Sequence, residues 1–335
     1  MAGKSGREIA AKPQGGLWKR LFSWEGALIL ILIAVNIFGR SISANYTLKN
    51  VLREMPRYLA ETFMMFGMGY ILVLGDIDIS VGSLVCLSGT MLVLTSNAGV
   101  PFILAALICL GVGLIGGMLN GLIATKFTEL PTMIVTLATQ IIFRGIAEVT
   151  LGSGGSASIK NTAGLKILAT KIGPFPLVFF IVLIVGIIMI VVLAKTPFGR
   201  KLYAIGSNKT AAYDAGIPVQ KIRFFCYSLL GFLAGLCALF LLTATYGSNT
   251  TTGQGFEMEV IAMCVFGGIA TTGGKGNLIG GFIAMFIIVC LRIALGQRNI
   301  NTQLILVIIG MMLILSVVVP AIASAISRRF RKAKV

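Results

Sequence analysis

The strongest chemical signal in the 335-residue sequence is a pair of carboxylates, Asp76 and Asp78, which interrupts two apolar runs. They stand in the segment Gly-Asp-Ile-Asp-Ile-Ser-Val-Gly-Ser, residues 75–83, together with Ser80 and Ser83. Charge inside a membrane is costly and often functional, and these residue types fit a helix break where irregular backbone lines a cavity. An ordinary loop at the membrane surface, with Asp78 or Ser80 capping the next helix, is the alternative interpretation.

Other polar residues within apolar runs are candidates for pairing or for lining a pathway. Asn120 stands beside a glycine-rich helix face, where it can bond across helices or face a path. Arg144 and Glu148 are four residues apart, which predicts that they share one helical face and neutralise each other. Arg292 lies near the end of an apolar run, from which its side chain can reach the membrane surface.

Enzyme chemistry finds little support. The segment 268–276 superficially suggests a phosphate loop, but Ile269 stands where the Walker A motif needs its first glycine, and Gly276 where it needs Ser or Thr. No His is present, which excludes His-ligated metal sites and His-based acid–base catalysis. The six cysteines fall in or beside apolar runs without CxxC spacing, so neither a metal nor a disulfide is implied.

The composition indicates an integral membrane protein. Hydrophobic residues make up 57% of the chain, charged residues 12%, and the mean hydropathy is +0.96. Soluble domains carry about 25% charged residues, and a membrane-spanning helix needs about 20 apolar residues. We therefore predict an all-α, polytopic helical bundle with about ten transmembrane helices, some of them short or broken. The predicted spans are Glu25–Phe38, Leu59–Leu74, Val81–Thr95, Pro101–Thr125, Met133–Thr150, Phe175–Ala194, Phe224–Ala244, Val260–Thr271, Leu278–Leu295 and Gln303–Ala323.

The placement of lysine and arginine predicts the orientation of the bundle. With ten spans that start inside, cytoplasmic segments hold 18 of the 28 basic residues and the opposite side holds 8. Both termini are then cytoplasmic, as a basic arm over residues 1–24 and a basic tail over 324–335, around a transmembrane domain over 25–323. The segment 40–57 is a misfit, with four basic residues outside. It is either a short amphipathic surface helix, or the first span is wrong.

The net charge of +17 follows from this topology, because basic residues flank the membrane and the tail can meet anionic lipid headgroups. Nucleic-acid binding is not expected. The run Ala27–Phe38 has the length of a signal-peptide core. A long polar arm precedes it and Arg40 follows it, which favours an uncleaved first span.

A polar, basic stretch of 28 residues, Lys195–Ile222, lies between two long apolar runs. Its inner part contains Ala211, Ala212 and Ala215, and closes on Gly216 before Ile217-Pro218. This pattern predicts a short helix with a terminator. A short surface helix on an otherwise buried protein suggests a docking site for a cytoplasmic partner.

Glycines recur at helical spacing. Gly113, Gly117 and Gly121 are four residues apart, and Gly231 and Gly235 repeat the interval. In lipid, such flat faces let helix backbones approach closely. The pattern predicts a tightly packed bundle and argues against a wide water-filled pore.

Taken together, these motifs resemble the permease subunits of ribose-type ABC importers. The segment 75–83 is similar to the family's Gly-Gly-Ile-Asp-Leu-Ser-Val-Gly signature, although Asp76 replaces its second glycine. Thr132-Met133 stands where the family commonly has Pro-Phe. Further motifs over roughly residues 25–320 follow in the family's order: Asn120-Gly121, Leu130-Pro131, Ile134 to Leu137, Arg144-Gly145, Gly199-Arg200, Ala204 to Asn208, Ala211 to Ile217, and Gly267 to Gly276.

The resemblance implies a permease of the bacterial cytoplasmic membrane that works as a homodimer or beside a homologous permease. ATP-binding subunits that hold Mg-ATP would dock inside, and an extracytoplasmic binding protein would deliver a monosaccharide outside. The chain itself would carry no cofactor, metal or catalytic residue.

The same resemblance suggests roles for individual residues. The 195–222 loop looks like the coupling segment, with Ala211–Gly216 entering a groove on the ATPase. The predicted coupling residues are Gly206, Asn208, Ala211, Ala212, Asp214 and Gly216. A neutral sugar needs hydroxyl and amide partners more than charges, and the predicted pathway residues are Asp76, Asp78, Ser80, Ser83, Asn120 and Gln140.

An ion- or proton-coupled secondary transporter acting alone is the alternative function, with Asp76, Asp78 and Glu148 as its coupling carboxylates. A membrane-embedded enzyme has little support, since no nucleophile–base pair is evident. Pentoses, hexoses, deoxyhexoses and furanose-like signalling molecules all remain open as the substrate.

Overall fold

The computed structural model describes residues 24–301 and nine positions between 304 and 318, which are helical. Thirteen α-helices form within residues 24–301. They are α1 (Trp24–Ile42), α2 (Leu48–Leu59), α3 (Thr62–Val73), α4 (Val81–Asn97), α5 (Phe102–Lys126), α6 (Thr132–Leu151), α7 (Ala163–Leu168), α8 (Leu177–Lys195), α9 (Pro197–Ser207), α10 (Lys209–Asp214), α11 (Val219–Thr245), α12 (Phe256–Phe266) and α13 (Leu278–Gln297). The four strands are β1 (Ser156–Ser158), β2 (Lys171–Ile172), β3 (Phe175–Pro176) and β4 (Gly247–Asn249).

Six of these helices are long and apolar enough to cross a membrane, namely α1, α5, α6, α8, α11 and α13. Helices α3 and α4 are apolar but shorter. The predicted polytopic helical architecture is confirmed, while the six long helices are fewer than the ten predicted spans. The last predicted span, Gln303–Ala323, lies mostly outside the described residues, as do most of the arm 1–24 and the whole of the tail 324–335.

The all-α prediction missed four short strands at one end of the bundle. β1 pairs antiparallel with β4, with Ser156 opposite Asn249 and Ser158 opposite Gly247. β2 and β3 form a second antiparallel pair. We call the end of the bundle that carries these strands the strand end. The opposite end, which holds α9 and α10, is called the basic end.

Helix α2 resolves the misfit at residues 40–57. Its buried residues Val51, Leu52, Met55 and Leu59 lie on one face, and Arg53 on the opposite side is exposed. The structure therefore shows the amphipathic helix of the first alternative. The first predicted span also forms a helix, α1, whose Trp24 Nε1 donates to the carbonyl of Phe266 at 3.1 Å.

Helix α12 departs most from its prediction, Val260–Thr271. It begins earlier and ends at Phe266, because Gly268 has φ +92° and three more glycines up to Gly276 have positive φ. The glycine-rich stretch therefore forms a loop and does not extend the helix. With 11 residues, α12 is about 16 Å long at 1.5 Å per residue, about half the hydrocarbon thickness.

The core is organised around α11, which packs along α5 through the glycines of both helices. A Cβ at Gly113 would lie 2.5 Å from the carbonyl oxygen of Gly231, and one at Gly117 would lie 2.8 Å from Gly231 Cα. A Cβ at Gly121 would lie 3.1 Å from the carbonyl oxygen of Phe224. Only glycine lets the two backbones approach this closely.

The two short helices α3 and α12 both end in irregular segments, residues 74–80 and 267–277, and these segments meet. A Cβ at Gly273 would lie 2.8 Å from Gly75 Cα, and the N–H of Gly274 donates to the carbonyl of Val73 at 2.8 Å. Helix α9 packs against the place where these two segments meet, on the side of the basic end.

Candidate functional site

Three of the predicted pathway residues form one buried hydrogen-bond network. Asn120 Nδ2 lies 3.2 Å from Asp78 Oδ2 and 2.7 Å from Ser80 Oγ. Ser80 donates its backbone N–H and its hydroxyl to Asp78 Oδ1 at 2.8 and 2.7 Å. Because Asp78 is only 2% exposed, an ordinary surface loop does not describe this segment. The network ties the break at 74–80 to α5.

Asp76 lies apart from this network, towards the basic end, and is ion-paired. Its Oδ1 is 2.7 Å from Lys209 Nζ, and its Oδ2 is 2.9 Å from Arg223 Nε. These residues border a cavity of about 620 Å³ between α10, α11 and the loop that follows α5. Its lining includes Asp76, Thr128, Glu129, Thr132, Lys209, Tyr213, Gln220 and Arg223.

Ser83 and Gln140 line a different cavity of about 530 Å³ between α4, α6 and the start of α12. Gln140 Nε2 lies 3.4 Å from Glu257 Oε1. The hydroxyl of Ser83 and Oε2 of Glu257 are buried, and neither has a hydrogen-bond partner among the described residues. The complete lining is Ser83, Gln140, Ile141, Arg144, Gly145, Glu148, Thr250, Thr251, Gln254 and Glu257.

The chemistry of this second cavity suits a neutral hydroxylated molecule. Carboxylate and amide oxygens accept from sugar hydroxyls, while guanidinium and amide N–H groups donate to them. The lining residues Ile141 and Glu148 are exposed, so the cavity opens beside α6. The six predicted pathway residues thus separate into a buried network, an ion-paired carboxylate and a polar cavity. Glu257 and Gln254 were not predicted, because each is an isolated polar residue near a glycine-rich turn.

The predicted pairing of Arg144 with Glu148 is wrong. Arg144 Nη1 donates to the carbonyl oxygens of Thr250 and Thr252, at 3.0 and 2.6 Å. Arg144 and Glu148 form no ion pair in the part of the chain that the structure describes. The guanidinium fixes the turns of residues 250–255, which follow β4 and lie along α4.

The coupling residues predicted around α10 differ in exposure. Asn208 caps the helix, since its side chain accepts from the N–H of Ala211 at 3.0 Å. Gly216, at φ +79°, ends it through bonds from the N–H groups of residues 216 and 217 to the carbonyls of residues 213 and 212. This is the Schellman pattern. The predicted short helix is therefore present.

Two of these residues face the bundle. Ala212 is 4% exposed, so it cannot itself enter a groove on a partner while the helix keeps this position. A Cβ at Gly206 would clash with the carbonyl oxygen of Val73 and lie 2.5 Å from Gly274 N. The exposed members are Asn208, Ala211, Asp214 and Gly216. Tyr213, a large side chain on α10 that is 70% exposed, was not among the predicted residues.

Helix α9 holds the junction of the two irregular segments. The Tyr203 hydroxyl donates to the carbonyl of Gly276 at 2.6 Å. Burial raises the pKa of this phenol above its ordinary value, so it remains a donor at neutral pH.

The prediction that the Arg292 side chain reaches the membrane surface is wrong. The side chain is buried between two carboxylates. Its guanidinium pairs with Glu61 at 3.2 Å and with Glu259. Its ring contact with Tyr58 places the guanidinium carbon 5.5 Å from the ring centre. The three charged residues border a cavity of about 390 Å³ near the strand end. This cluster was not predicted, because its members are more than 30 residues apart in every pairing.

Comparison with known proteins now identifies the class. Residues 57–317 match the family described as the branched-chain amino acid transport system / permease component. The chain belongs to this permease family. The ribose import permease protein RbsC of Bacillus subtilis (strain 168) is 31% identical over 313 residues, which cover 92% of this permease and 95% of RbsC.

A second group of relatives carries a different name. The autoinducer 2 import system permease protein LsrC of Salmonella typhimurium is 31% identical over 266 residues, 78% of this permease and 75% of LsrC. RbsC of Haemophilus influenzae is 30% identical over 279 residues, 82% and 85% of the two chains. No solved structure matches the permease. The permease is thus a multi-pass membrane protein of a transport system.

Proposed function

We propose that this permease is the membrane subunit of an ABC importer for a monosaccharide or a similar hydroxylated molecule. The polar cavity of Ser83, Gln140 and Glu257 carries the proposal, because its hydroxyl, amide and carboxylate groups match the chemistry of sugar hydroxyls. The printed names of the relatives, ribose import and autoinducer 2 import permeases, agree with such a substrate.

We assign the basic end to the cytoplasm, following the excess of Lys and Arg there and in the terminal segments. Both termini are then cytoplasmic, and the protein resides in the bacterial cytoplasmic membrane. The six long helices, the shorter α3, α4 and α12, and the helical positions between 304 and 318 together make up about ten spans.

Helix α10 is the proposed contact with an ATP-binding partner, which holds Mg-ATP. It is a capped, well-defined helix at the basic end, and its exposed side carries Ala211, Tyr213 and Asp214. An extracytoplasmic binding protein delivers the sugar at the strand end. The chain itself is a transport subunit and not an enzyme.

A second permease, a copy or a homologue, covers the polar cavity. The cavity opens beside α6, where Glu148 is exposed near the end of a spanning helix. Charged groups in spanning helices are stable when they face protein or a water-filled cavity. A path between two permeases satisfies this requirement.

The alternative of secondary transport loses two of its three carboxylate candidates. Asp76 is paired with two cations, and Asp78 accepts hydrogen bonds from Ser80 and Asn120. Both carboxylates are therefore occupied by structural partners within the chain.

The proposal is tested by reconstituting the permease with its ATPase in proteoliposomes, with the sugar-loaded binding protein outside and ATP inside. We expect uptake that requires ATP and survives a proton uncoupler. Tyr213→Arg should weaken ATPase binding, because a large exposed aromatic often anchors an interface. Lys201→Gln, on the exposed surface of α9, is the matched control. Uptake by the permease without the ATPase would refute the proposal.

A further inference from the structure

The ion pair between Lys209 and Asp76 joins the proposed coupling helix to the helix break. We infer that these two residues are coupling residues, through which displacement of α10 moves the segment 74–80. The inference rests on the proposed function and deepens it. Nothing in the composition of the break predicts the link, since 132 residues separate the two members in the sequence.

Asp76 pairs with two cations from different helices, Lys209 of α10 and Arg223 of α11. Lys209 is the first residue of α10, and its side chain is 46% exposed, whereas Asp76 is 2% exposed. Arg223 holds Asp76 Oδ2 at 2.9 Å and donates to the carbonyl of Ala124 in α5 at 3.0 Å. Lys209 therefore links Asp76 to the surface helix α10, and Arg223 links it to the core helices α11 and α5.

Charge-assisted bonds are the strong class of hydrogen bond, particularly where a carboxylate is buried. If α10 moved while the segment 74–80 stayed in place, Lys209 would separate from Asp76. The Lys209 ammonium would then lose its hydrogen-bond acceptor. Moving both together keeps the bond. The energetic difference favours joint motion of α10 and the segment 74–80.

Contacts of α9 add to the link that the Lys209–Asp76 ion pair makes at the basic end. The close approach of Gly206 to Val73 seats α9 on the end of α3. The bond from Tyr203 to the carbonyl of Gly276 seats α9 on the second irregular segment. A displacement of the α9–α10 pair therefore acts on both breaks, while Lys209 adds an ion pair from α10 itself.

Two residues beyond Asp76, the break enters the buried network of Asp78, Ser80 and Asn120. Ser80 directly precedes α4, and Ser83 in the first turn of α4 lines the polar cavity. Movement of the break thus reaches the cavity within seven positions of the chain. The structure supplies a continuous link from the surface helix to the sugar-binding groups.

The test compares Lys209→Met with Lys209→Arg in the reconstituted complex, and measures sugar uptake and ATP hydrolysis in the same vesicles. Lys209→Met should fold, because Arg223 still neutralises Asp76. We expect uptake per ATP to fall about tenfold, the scale of one lost charge-assisted bond, while ATP hydrolysis persists. Lys209→Arg, which retains the cation, should preserve the ratio, as should the control Lys201→Met.

The outcomes separate the two proposals. If the unaltered complex lacks ATP-driven uptake, the proposed function fails. If it imports sugar and Lys209→Met keeps the normal ratio of uptake to ATP hydrolysis, the coupling role of Lys209 is overturned and the importer function stands. Loss of ATP hydrolysis and of ATPase binding in Lys209→Met would also overturn the inference, because Lys209 would then serve docking.

Discussion

Arg144 Nη1 lies 2.6 Å from the carbonyl oxygen of Thr252, joining a spanning helix to the turns beside it. The segment 247–255 consists of β4 and these turns and runs along α4, with the Ser248 hydroxyl 3.0 Å from that of Thr90. Irregular backbone at membrane depth requires internal hydrogen-bond partners, since lipid supplies none. The guanidinium satisfies two carbonyls at once, which explains why a charged residue occurs within α6.

Arg144→Met should therefore destabilise the permease. It removes the donor to Thr250 and Thr252, and bonds that involve a charged group are worth about 1.5–3 kcal/mol each. We expect a lower melting temperature in detergent and greater reactivity of a cysteine introduced at Ser248, which is 2% exposed. Glu148→Gln is the control, because Glu148 has no ion pair with Arg144. Equal destabilisation by both variants would support the original pairing and contradict the structure.

Close packing of α5 on α11 predicts different tolerance at two glycines of one helix. Gly117→Ala places a methyl group 2.8 Å from Gly231 Cα, and overpacking of this kind costs about 1–3 kcal/mol. At Gly111 an added Cβ meets no atom of the described residues within 4 Å. Gly111→Ala should be neutral or slightly stabilising, given the higher helix propensity of alanine. Thermal unfolding of the two variants measures the difference, and similar melting temperatures would show that the helices do not approach at Gly117.

Substitution of two buried serines of α4 distinguishes a role in the polar cavity from a role in helix packing. Neither the Ser83 nor the Ser88 hydroxyl has a hydrogen-bond partner among the described residues, but only Ser83 lines the polar cavity. Ser83→Ala should raise the sugar concentration for half-maximal uptake by up to about tenfold, the scale of one hydrogen bond. Ser88→Ala should leave uptake unchanged. A matching response of the two variants would remove Ser83 from the pathway.

The buried cluster around Arg292 gives a third stability prediction. Arg292→Met leaves Glu61 and Glu259 without their cation, and breaking a buried pair in this way costs about 3–5 kcal/mol. We expect poor folding yield and a lower melting temperature, with partial recovery when Glu61→Gln and Glu259→Gln are added. Arg298→Gln, at an exposed position, is the control for general loss of charge. Failure of the glutamine substitutions to restore any stability would argue that Arg292 acts mainly through packing.

Local patterns were sufficient for much of this architecture. Apolar runs predicted the helices closely, since the length needed to cross lipid is written directly in the chain. The helix end at Gly216 and the close packing at Gly113, Gly117 and Gly121 were also predicted correctly, because turns and helix faces depend on neighbouring residues. The bounds of α12 were predicted wrongly, since hydrophobicity alone does not show where glycines leave helical φ values.

The partners of the charged residues depended on tertiary structure. Arg144 pairs with carbonyls 106 and 108 residues away, and Arg292 reaches Glu61 across 231 residues. Sequence alone determined that this chain is a polytopic membrane protein with a polar break at Asp76 and a short surface helix at α10. Only the fold decided that Lys209 joins the two. Buried charges must find compensation wherever packing brings a partner near, and spacing along the chain does not encode that proximity.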